Sequence, residues 1–202
     1  MMKRSFINSA YYKLGAMALA CVFSTVASAN WSLDSEQSSV NFISIKKDTI
    51  AEVHHFNQLT GSVNDKNIAT VAIDLNSVST AIEIRDERMK TVLFETETFP
   101  LATITTDITL DEVNASPVGT VTVQNVDLAL TLHGETKSYS TQLQIFKNNK
   151  DTLVVNTTAP IIVNASDFKL LAGIEKLREL AGLSSIASAV PVTATLVFNQ
   201  GK

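Results

Sequence analysis

Cysteine is almost absent from this chain of 202 residues, because its single cysteine, Cys21, lies within the first 29 positions. A chain cleaved after those positions has no cysteine and can form no disulfide, even in an oxidising compartment. Its fold must therefore depend on a hydrophobic core, for which a hydrophobic content of 45% is sufficient. Glycine is also scarce, at 7 residues, which does not favour glycine-rich backbone sites for anions.

Recognisable catalytic and metal-binding patterns are missing as well. The sequence contains no H-E-x-x-H, no G-x-S-x-G and no phosphate-binding loop. His54 and His55 are neighbours in a predicted strand, so their side chains point to opposite faces and cannot bind one metal together. We therefore expect no catalytic residue, no metal and no enzymatic activity; an enzyme acting on lipid is the alternative in that class.

The first 29 residues have the pattern of a secretory signal. Lys3, Arg4 and Lys13 supply positive charge, residues 14–26 are apolar, and Ala-Ser-Ala at 27–29 forms a cleavage site. The apolar run is too short for stable membrane insertion. We expect a signal peptide over residues 1–29, one domain over residues 30–202, and export to the periplasm. A lipoprotein-type cleavage with lipidation at Cys21 is the alternative.

Acidic residues outnumber basic ones after cleavage. Removal of residues 1–29 leaves 13 basic against 20 acidic residues, a net charge of −7. This balance argues against nucleic acid or an anionic membrane as an electrostatic partner.

Alternation of apolar and polar residues dominates the remaining chain and predicts antiparallel strands with one wet face. About eight such segments are present: 31–47, 50–56, 68–75, 101–110, 118–132, 139–147, 151–163 and 188–198. Closing the sheet removes its aggregation-prone edges. We therefore predict an all-β fold, an eight-stranded antiparallel barrel with two short helices, at 81–94 and 170–182. Such a barrel has room for side chains or for one small ligand.

The stretch from 73 to 100 joins two strands through the first of these helices. Thr80 and Glu83 have capping-box spacing, and Met89 and Leu93 share an apolar helical face. Phe99-Pro100 ends the segment. The sequence predicts a lid whose apolar face must be covered by the barrel.

Several short patterns in this stretch resemble the YceI-like, polyisoprenoid-binding family. They are S-V-S-T at 77–80, R-D-E-R-M at 85–89, Leu93-Phe94 and Phe99-Pro100. Asp86 and Met89 match the Asp and Leu of the family's Arg-Asp-x-His-Leu-like core, whereas Arg88 replaces its His. The resemblance extends from residue 31 to residue 198.

The resemblance implies a lipocalin-like barrel with a long hydrophobic pocket for an isoprenoid chain, such as a polyprenyl lipid or a quinone tail. The expected function is that of a periplasmic binding or carrier protein for such a lipid or a similar amphiphile. The alternative is a structural or stress-associated secreted barrel with a core filled by side chains. The expected ligand-binding residues are Phe42, Phe56, Ile73, Leu75, Ile84, Met89, Leu93, Phe94, Phe99, Ile104, Leu128, Leu130, Leu132, Leu171 and Ile174.

Charged residues follow the inward-facing positions of the first hairpin. If Phe42 and Phe56 point inward, Lys46 and Glu52 lie at the rim of the barrel. Two interpretations stay open: a rim salt bridge of little energetic weight, or a polar mouth that receives a head group. The residues predicted for this mouth are Lys46, Glu52, His54, Arg85 and Arg88. Trp31 is expected to plug the bottom of the barrel, and the sequence is compatible with a monomer or a homodimer.

Overall fold

Twelve antiparallel strands form one sheet that closes on itself in the computed structural model, which describes residues 29–201. The predicted signal peptide and Cys21 therefore lie outside the described residues, apart from Ala29, which opens the first strand. The strands are β1 (Ala29–Leu33), β2 (Ser39–Lys46), β3 (Ile50–Phe56), β4 (Leu59–Asn64), β5 (Ile68–Asp74), β6 (Val78–Ser79), β7 (Leu101–Asp107), β8 (Val121–Leu132), β9 (Glu135–Asn149), β10 (Thr152–Thr157), β11 (Ile161–Asn164) and β12 (Ala189–Gln200).

These twelve segments make eight wall strands, because four of the wall strands consist of two successive segments each and the other four of one segment each. β1 and β2 follow each other along one edge of β12, and β10 and β11 follow each other along its other edge. β3 and β4 pair with β2 and β1, and β6 and β5 pair with β3 and β4 in turn. The wall closes where Trp31 of β1 pairs with Gln200 of β12. The predicted eight-stranded antiparallel barrel is confirmed.

Alternation decides which side chains reach the interior. On β8, Leu128, Leu130 and Leu132 are buried, whereas Asp127 and Thr131 are exposed. Successive side chains of a strand point to opposite faces, so these three leucines lie inside the barrel.

Three short α-helices in the described part of the chain close the two ends of the barrel. They are α1 (Glu83–Arg88), α2 (Leu110–Ala115) and α3 (Leu171–Leu180), and α1 continues directly into a π-helical turn over Met89–Phe94. The π-helical turn and α3 pack against each other and form the lid. Met89, Phe94 and Ile174 of the lid belong to the larger apolar cluster of the barrel, which also contains Phe42 and Leu130. No helix within residues 29–201 has both the length and the apolar content needed to cross a membrane.

The second end contains the helix that was not predicted. The sequence pattern predicted a strand through residue 110, whereas α2 begins at Leu110 and continues to Ala115. Leu110 and Val113 are three positions apart, so they lie on one helical face. Both are buried with Trp31 and Phe198 in a second, smaller apolar cluster. A helix of six residues is too short to show a clear period in the sequence.

The predicted capping box at Thr80 is wrong. α1 begins later, with Ile82 at its N-cap position and no side-chain cap. Ala81 has a φ of 60°, so the chain turns between Thr80 and the helix. The amide and the hydroxyl of Thr80 both donate to Oδ1 of Asp86 instead of engaging Glu83.

Gly61 lies within β4 and pairs with Val71 of β5. A Cβ at this position would lie 2.9 Å from the carbonyl oxygen of Thr70. Close packing of the chain, and not a turn, therefore explains this glycine. The predicted end of the second helix is right, since Gly182 has a φ of 61° just after α3.

Candidate ligand-binding cavity

The interior of the barrel is not filled by its own side chains. A cavity of about 230 Å³ runs through it, and its wall is almost entirely apolar. Twelve of the residues predicted to bind a ligand lie on this wall: Phe42, Phe56, Ile73, Leu75, Met89, Leu93, Phe94, Ile104, Leu128, Leu130, Leu132 and Ile174.

The other three predicted residues are not among those that line the cavity. Ile84 lies on the outer face of α1 with 59% of its surface exposed, because α1 begins later than the sequence suggested. Leu171 is 49% exposed at the start of α3, and its neighbour Leu170 is buried in the wall instead. Phe99 packs outside the cavity against His133, with 4.4 Å between the ring centroids.

Residues that were not predicted as ligand contacts form much of the cavity wall. β9, β10 and β12 contribute Tyr139, Leu143, Ile145, Leu153, Val155, Val192, Ala194, Leu196 and Phe198. The signal was present in the sequence, because Val192, Ala194, Leu196 and Phe198 alternate on one predicted face.

The bottom of the cavity is closed by Trp31 and α2. Trp31 is only 2% exposed and lies in a cluster with Leu110, Val113 and Phe198. It also lines the cavity. Trp31, which was predicted to plug the barrel, therefore also forms part of the cavity wall.

The lid at the upper end is held by an unusually close contact between its two helical segments. A Cβ on Gly173 of α3 would lie 2.9 Å from the carbonyl oxygen of Val92 and 3.0 Å from Cα of Leu93. Only a glycine allows α3 to approach the π-helical turn this closely. That approach brings Ile174 and Leu93 to the same wall.

Three charged residues meet at the rim beside the lid. Oε2 of Glu52 accepts from Nζ of Lys46 at 2.8 Å and from Nη1 of Arg85 at 2.7 Å. Nη2 of Arg85 also donates to the carbonyl oxygen of Thr80 at 2.6 Å. The hydrogen bond from Lys46, together with Arg85, lowers the pKa of Glu52 below its usual value. We call Lys46, Glu52 and Arg85 the rim triad.

Arg88, the fifth residue of the predicted mouth, does not join the rim triad. Its Nη1 donates to the carbonyl oxygen of Leu180 at 3.3 Å, so it connects α1 to the end of α3. This hydrogen bond therefore helps to hold the two segments of the lid together, because α1 continues directly into the π-helical turn.

His54 is buried next to Phe42 but is not among the residues that line the cavity. It is 2% exposed, and its ring lies 5.2 Å from that of Phe42, which lines the wall. Nε2 shares a hydrogen bond of 2.8 Å with Oγ of Ser44, and Nδ1 has no partner among residues 29–201. Burial, followed by the charge of Arg85, lowers the pKa of His54, so the imidazole is neutral near pH 7.

No group of three or more His, Cys, Asp or Glu side chains in the described part of the chain is arranged to hold a metal ion. The arrangement consists of an apolar cavity, a closed bottom, a helical lid and a rim where polar groups are concentrated. Such a site can enclose an apolar chain and contact a polar group at one end.

Comparisons with known proteins agree with this geometry. The family model of the YceI-like domain matches residues 31–198. A polyisoprenoid binding domain from Saccharophagus degradans, implicated in plant cell wall breakdown, is 37% identical, with a TM-score of 0.85 over 86% of this chain and 100% of that domain. Among curated proteins, no sequence matches this chain.

Two more distant structures share the fold. BcnA of Burkholderia cenocepacia has 19% identity and a TM-score of 0.65, with coverage of 82% of this chain and 98% of BcnA. The YCEI protein of Campylobacter jejuni has 15% identity and a TM-score of 0.56, with coverage of 94% of this chain and 100% of that protein.

Proposed function

Because this chain belongs to the YceI-like domain family, we propose that it is a periplasmic binding or carrier protein for an isoprenoid or a similar amphiphilic lipid. The observation that carries the proposal is the apolar cavity of about 230 Å³ inside the barrel. The 37% identical domain, which is described as polyisoprenoid binding, supports the isoprenoid class of ligand. A polyprenyl lipid and a quinone with a prenyl tail both belong to this class.

The energetics of the cavity favour a long apolar tail. Burial of each CH₂ group contributes about 0.8 kcal/mol, so a tail that fills the cavity binds tightly without a polar contact. The wall is preformed by strands, which keeps the cost of ordering low. The alternative, a secreted structural barrel with a core filled by side chains, is disfavoured by the cavity, which side chains leave unfilled.

The distribution of polar groups favours one orientation of the ligand. The wall from the lid to Trp31 is apolar, whereas the rim triad lies at the lid end. A polar group buried without a partner costs free energy. The tail therefore extends toward Trp31, and the head group stays at the rim.

To test the cavity, the protein is purified from its own periplasm. Its bound lipid is then detected by native mass spectrometry and identified after extraction. Wild-type protein should carry a lipid with a prenyl tail. Met89→Trp should lower the occupancy while the protein stays folded, since Met89 lines the cavity and a cavity can absorb volume. Ile84→Trp is the matched control, because Ile84 lies outside the cavity, and its occupancy should be unchanged.

The binding function would be contradicted by wild-type protein without any bound lipid that also takes up no prenyl lipid in vitro. Equal occupancy and equal melting temperature in wild type and Met89→Trp would instead mean that the lid does not cover the site of binding. Loss of stability by about 1–3 kcal/mol without a change in lipid would indicate a packed core.

The periplasmic location is supported by the sequence pattern of residues 1–29. The intact mass of the exported protein should correspond to a chain that starts at Asn30. A diacylglycerol adduct on Cys21 would contradict this start and indicate a lipid-anchored protein instead.

A further inference from the structure

We propose that the lipid tail enters and leaves the cavity sideways, through a seam in the barrel wall between β9 and β11, and that Tyr139 is the gate of this seam. The seam is the boundary between residues 135–141 of β9 and residues 161–164 of β11. The inference rests on the proposed function, because it describes the route by which the ligand reaches the cavity.

The two strands that border the seam are not joined by a hydrogen-bond ladder. β10 pairs with β9 over Thr152–Thr157, and the amide of Thr158 still donates to the carbonyl of Gln142 at 3.1 Å. Beyond this bond, β11 pairs with β12 alone, and no backbone hydrogen bond within residues 29–201 joins β11 to β9. The strand edge of β9 is therefore unpaired along the seam.

Pro160 explains why the ladder stops at this point. The register of β10 with β9, continued two residues beyond Thr158, places Pro160 opposite Ser140. Hydrogen-bonded pairs alternate along antiparallel strands, and Thr158 with Gln142 is such a pair, so the next one would need an amide from residue 160. Proline has no amide hydrogen to donate. The sequence itself therefore ends the ladder where the seam begins.

Side chains close the seam in place of main-chain hydrogen bonds. Tyr139 from β9 and Ile161 and Val163 from β11 pack together against the larger apolar cluster, and all three line the cavity. The hydroxyl of Tyr139 lies near the backbone of Asn164, so this side chain crosses the seam, but it makes no hydrogen bond within residues 29–201. Rotation of Tyr139 can therefore open the wall without breaking a ladder, and regions with few hydrogen bonds open most readily.

The length of the seam suits a lipid tail. It extends from Gln142 to Glu135, whose carboxylate pairs with Nζ of Lys169 and fixes the upper end. A strand of this length rises by about 23 Å. Because residues on both sides of the seam line the cavity, a tail can pass through the wall along its length and need not be threaded end first.

The lid, in contrast, is fixed to the barrel by several contacts. Met89 is buried, and Nη1 of Arg85 donates to Oε2 of Glu52 at 2.7 Å. Just after α3, the hydroxyl of Ser185 donates to Oδ1 of Asp48 at 2.6 Å. Opening the lid would break these polar contacts and expose apolar surface to water. The seam is therefore the easier route for exchange.

The experiment tethers one route at a time with a short bis-maleimide, which reacts only at introduced thiols because the chain has no cysteine after Cys21. Ser138→Cys with Ile162→Cys spans the seam on its outer face. Asp48→Cys with Ser185→Cys ties the end of the lid to the β2–β3 hairpin and is the matched control. Release of a fluorescent prenyl alcohol is followed by stopped flow. The seam tether should slow release at least about tenfold, and the lid tether should change it by less than about twofold.

Each variant is measured before and after cross-linking and is its own reference, so a folding defect cannot imitate the effect. An unchanged release rate in the cross-linked seam variant overturns the inference. Equal or greater slowing by the lid tether overturns it as well. If the proteins bind no prenyl alcohol even before cross-linking, the proposed function itself is contradicted.

The role of Tyr139 as the gate is tested by rates. Tyr139→Ala should raise the association and release rate constants together, each by about tenfold, because an open gate lowers the barrier in both directions. Leu143→Ala is the matched variant, since Leu143 also lines the cavity from β9 but pairs with Thr157 in the ladder. It should raise the release rate alone, because it removes only contacts with the tail. Faster release with unchanged association in Tyr139→Ala would overturn the assignment of the gate.

Discussion

At the scale of single residues, the rim triad is the clearest source of a pH-dependent contribution to stability. Glu52 has a lowered pKa in the folded protein, so its pairing stabilises the fold above its unfolded pKa of about 4.3 and is lost as the pH falls through the folded value. Glu52→Gln should lower the free energy of unfolding by about 1 kcal/mol at pH 7, since the side chain is partly exposed and solvent screens the pair.

The measurement is chemical denaturation of wild type and Glu52→Gln from pH 7 to about pH 3. The difference between the two proteins should shrink steadily below about pH 4.3. A constant difference over this range would show that Glu52 acts through packing and not through its charge.

His54 contributes in the same sense, but at a higher pH. Its lowered pKa means that the unfolded chain binds a proton near pH 6.5 that the folded protein does not. Stability should therefore decrease as the pH falls below about 6.5. Burial is the main cause; Arg85 and Lys46 act in the same direction, whereas Glu52 and Asp86 oppose them.

Thermal melts from pH 7.5 to pH 5 check this expectation. His54→Phe should lose less stability than wild type over the interval, while His55→Phe should follow wild type. Parallel curves for all three proteins would rule out His54 as the titrating group.

At the scale of elements, the lid depends on the contact at Gly173. Gly173→Ala should destabilise the protein although alanine is favoured in helices by about 1 kcal/mol. The added Cβ would meet backbone atoms of the π-helical turn at 2.9 and 3.0 Å, and backbone cannot move aside as a side chain can.

The melting temperature of Gly173→Ala gives the sign of the effect. Ala172→Gly, on the adjacent and exposed position, measures the helix propensity alone and should cost about 1 kcal/mol. A higher melting temperature for Gly173→Ala than for wild type would mean that the two lid segments can separate without cost.

The elements also show how far the sequence could be read. The eight walls and their inward faces follow from alternation, as β8 and β12 demonstrate. Helix α2 was missed because six residues hold less than two turns. The start of α1 was misplaced because Asp86 reaches back to Thr80 through a left-handed residue at Ala81, a tertiary arrangement that capping spacing does not reveal.

The site was predictable to a similar extent. The lid and the leucines of β8 were identified from the family pattern and from alternation, and they line the cavity. Ile84 and Leu171 were displaced because a shift of one residue in a helix turns a side chain by about 100°. The burial of His54 and the meeting of Lys46, Glu52 and Arg85 depend on the pairing of β2 with β3 and on the approach of α1.

At the scale of the whole molecule, the single tryptophan reports on the orientation of the ligand. Trp31 is buried at the bottom of the cavity, and the rim triad lies at the other end. A prenyl lipid brominated at the end of its tail should quench the fluorescence of Trp31 strongly. The same lipid brominated at its head should quench it weakly.

This prediction is checked by titrating the two lipids against the mature protein. Stronger quenching by the head-labelled lipid would reverse the proposed orientation. Met89→Trp is unsuited to this assay because it adds a second fluorophore, so Ile84→Ala serves as the control for lid effects.

Closure of the barrel through its first and last strands has a consequence for the kinetics of folding. Ser32 and Asn199 meet in the wall although they are 167 residues apart in the chain. Contacts between such distant residues require a large loss of chain entropy before they stabilise anything, and folding dominated by them is slow. The β12 strand borders β1, β2, β10 and β11, so a nascent chain has no closed wall until this strand has been synthesised.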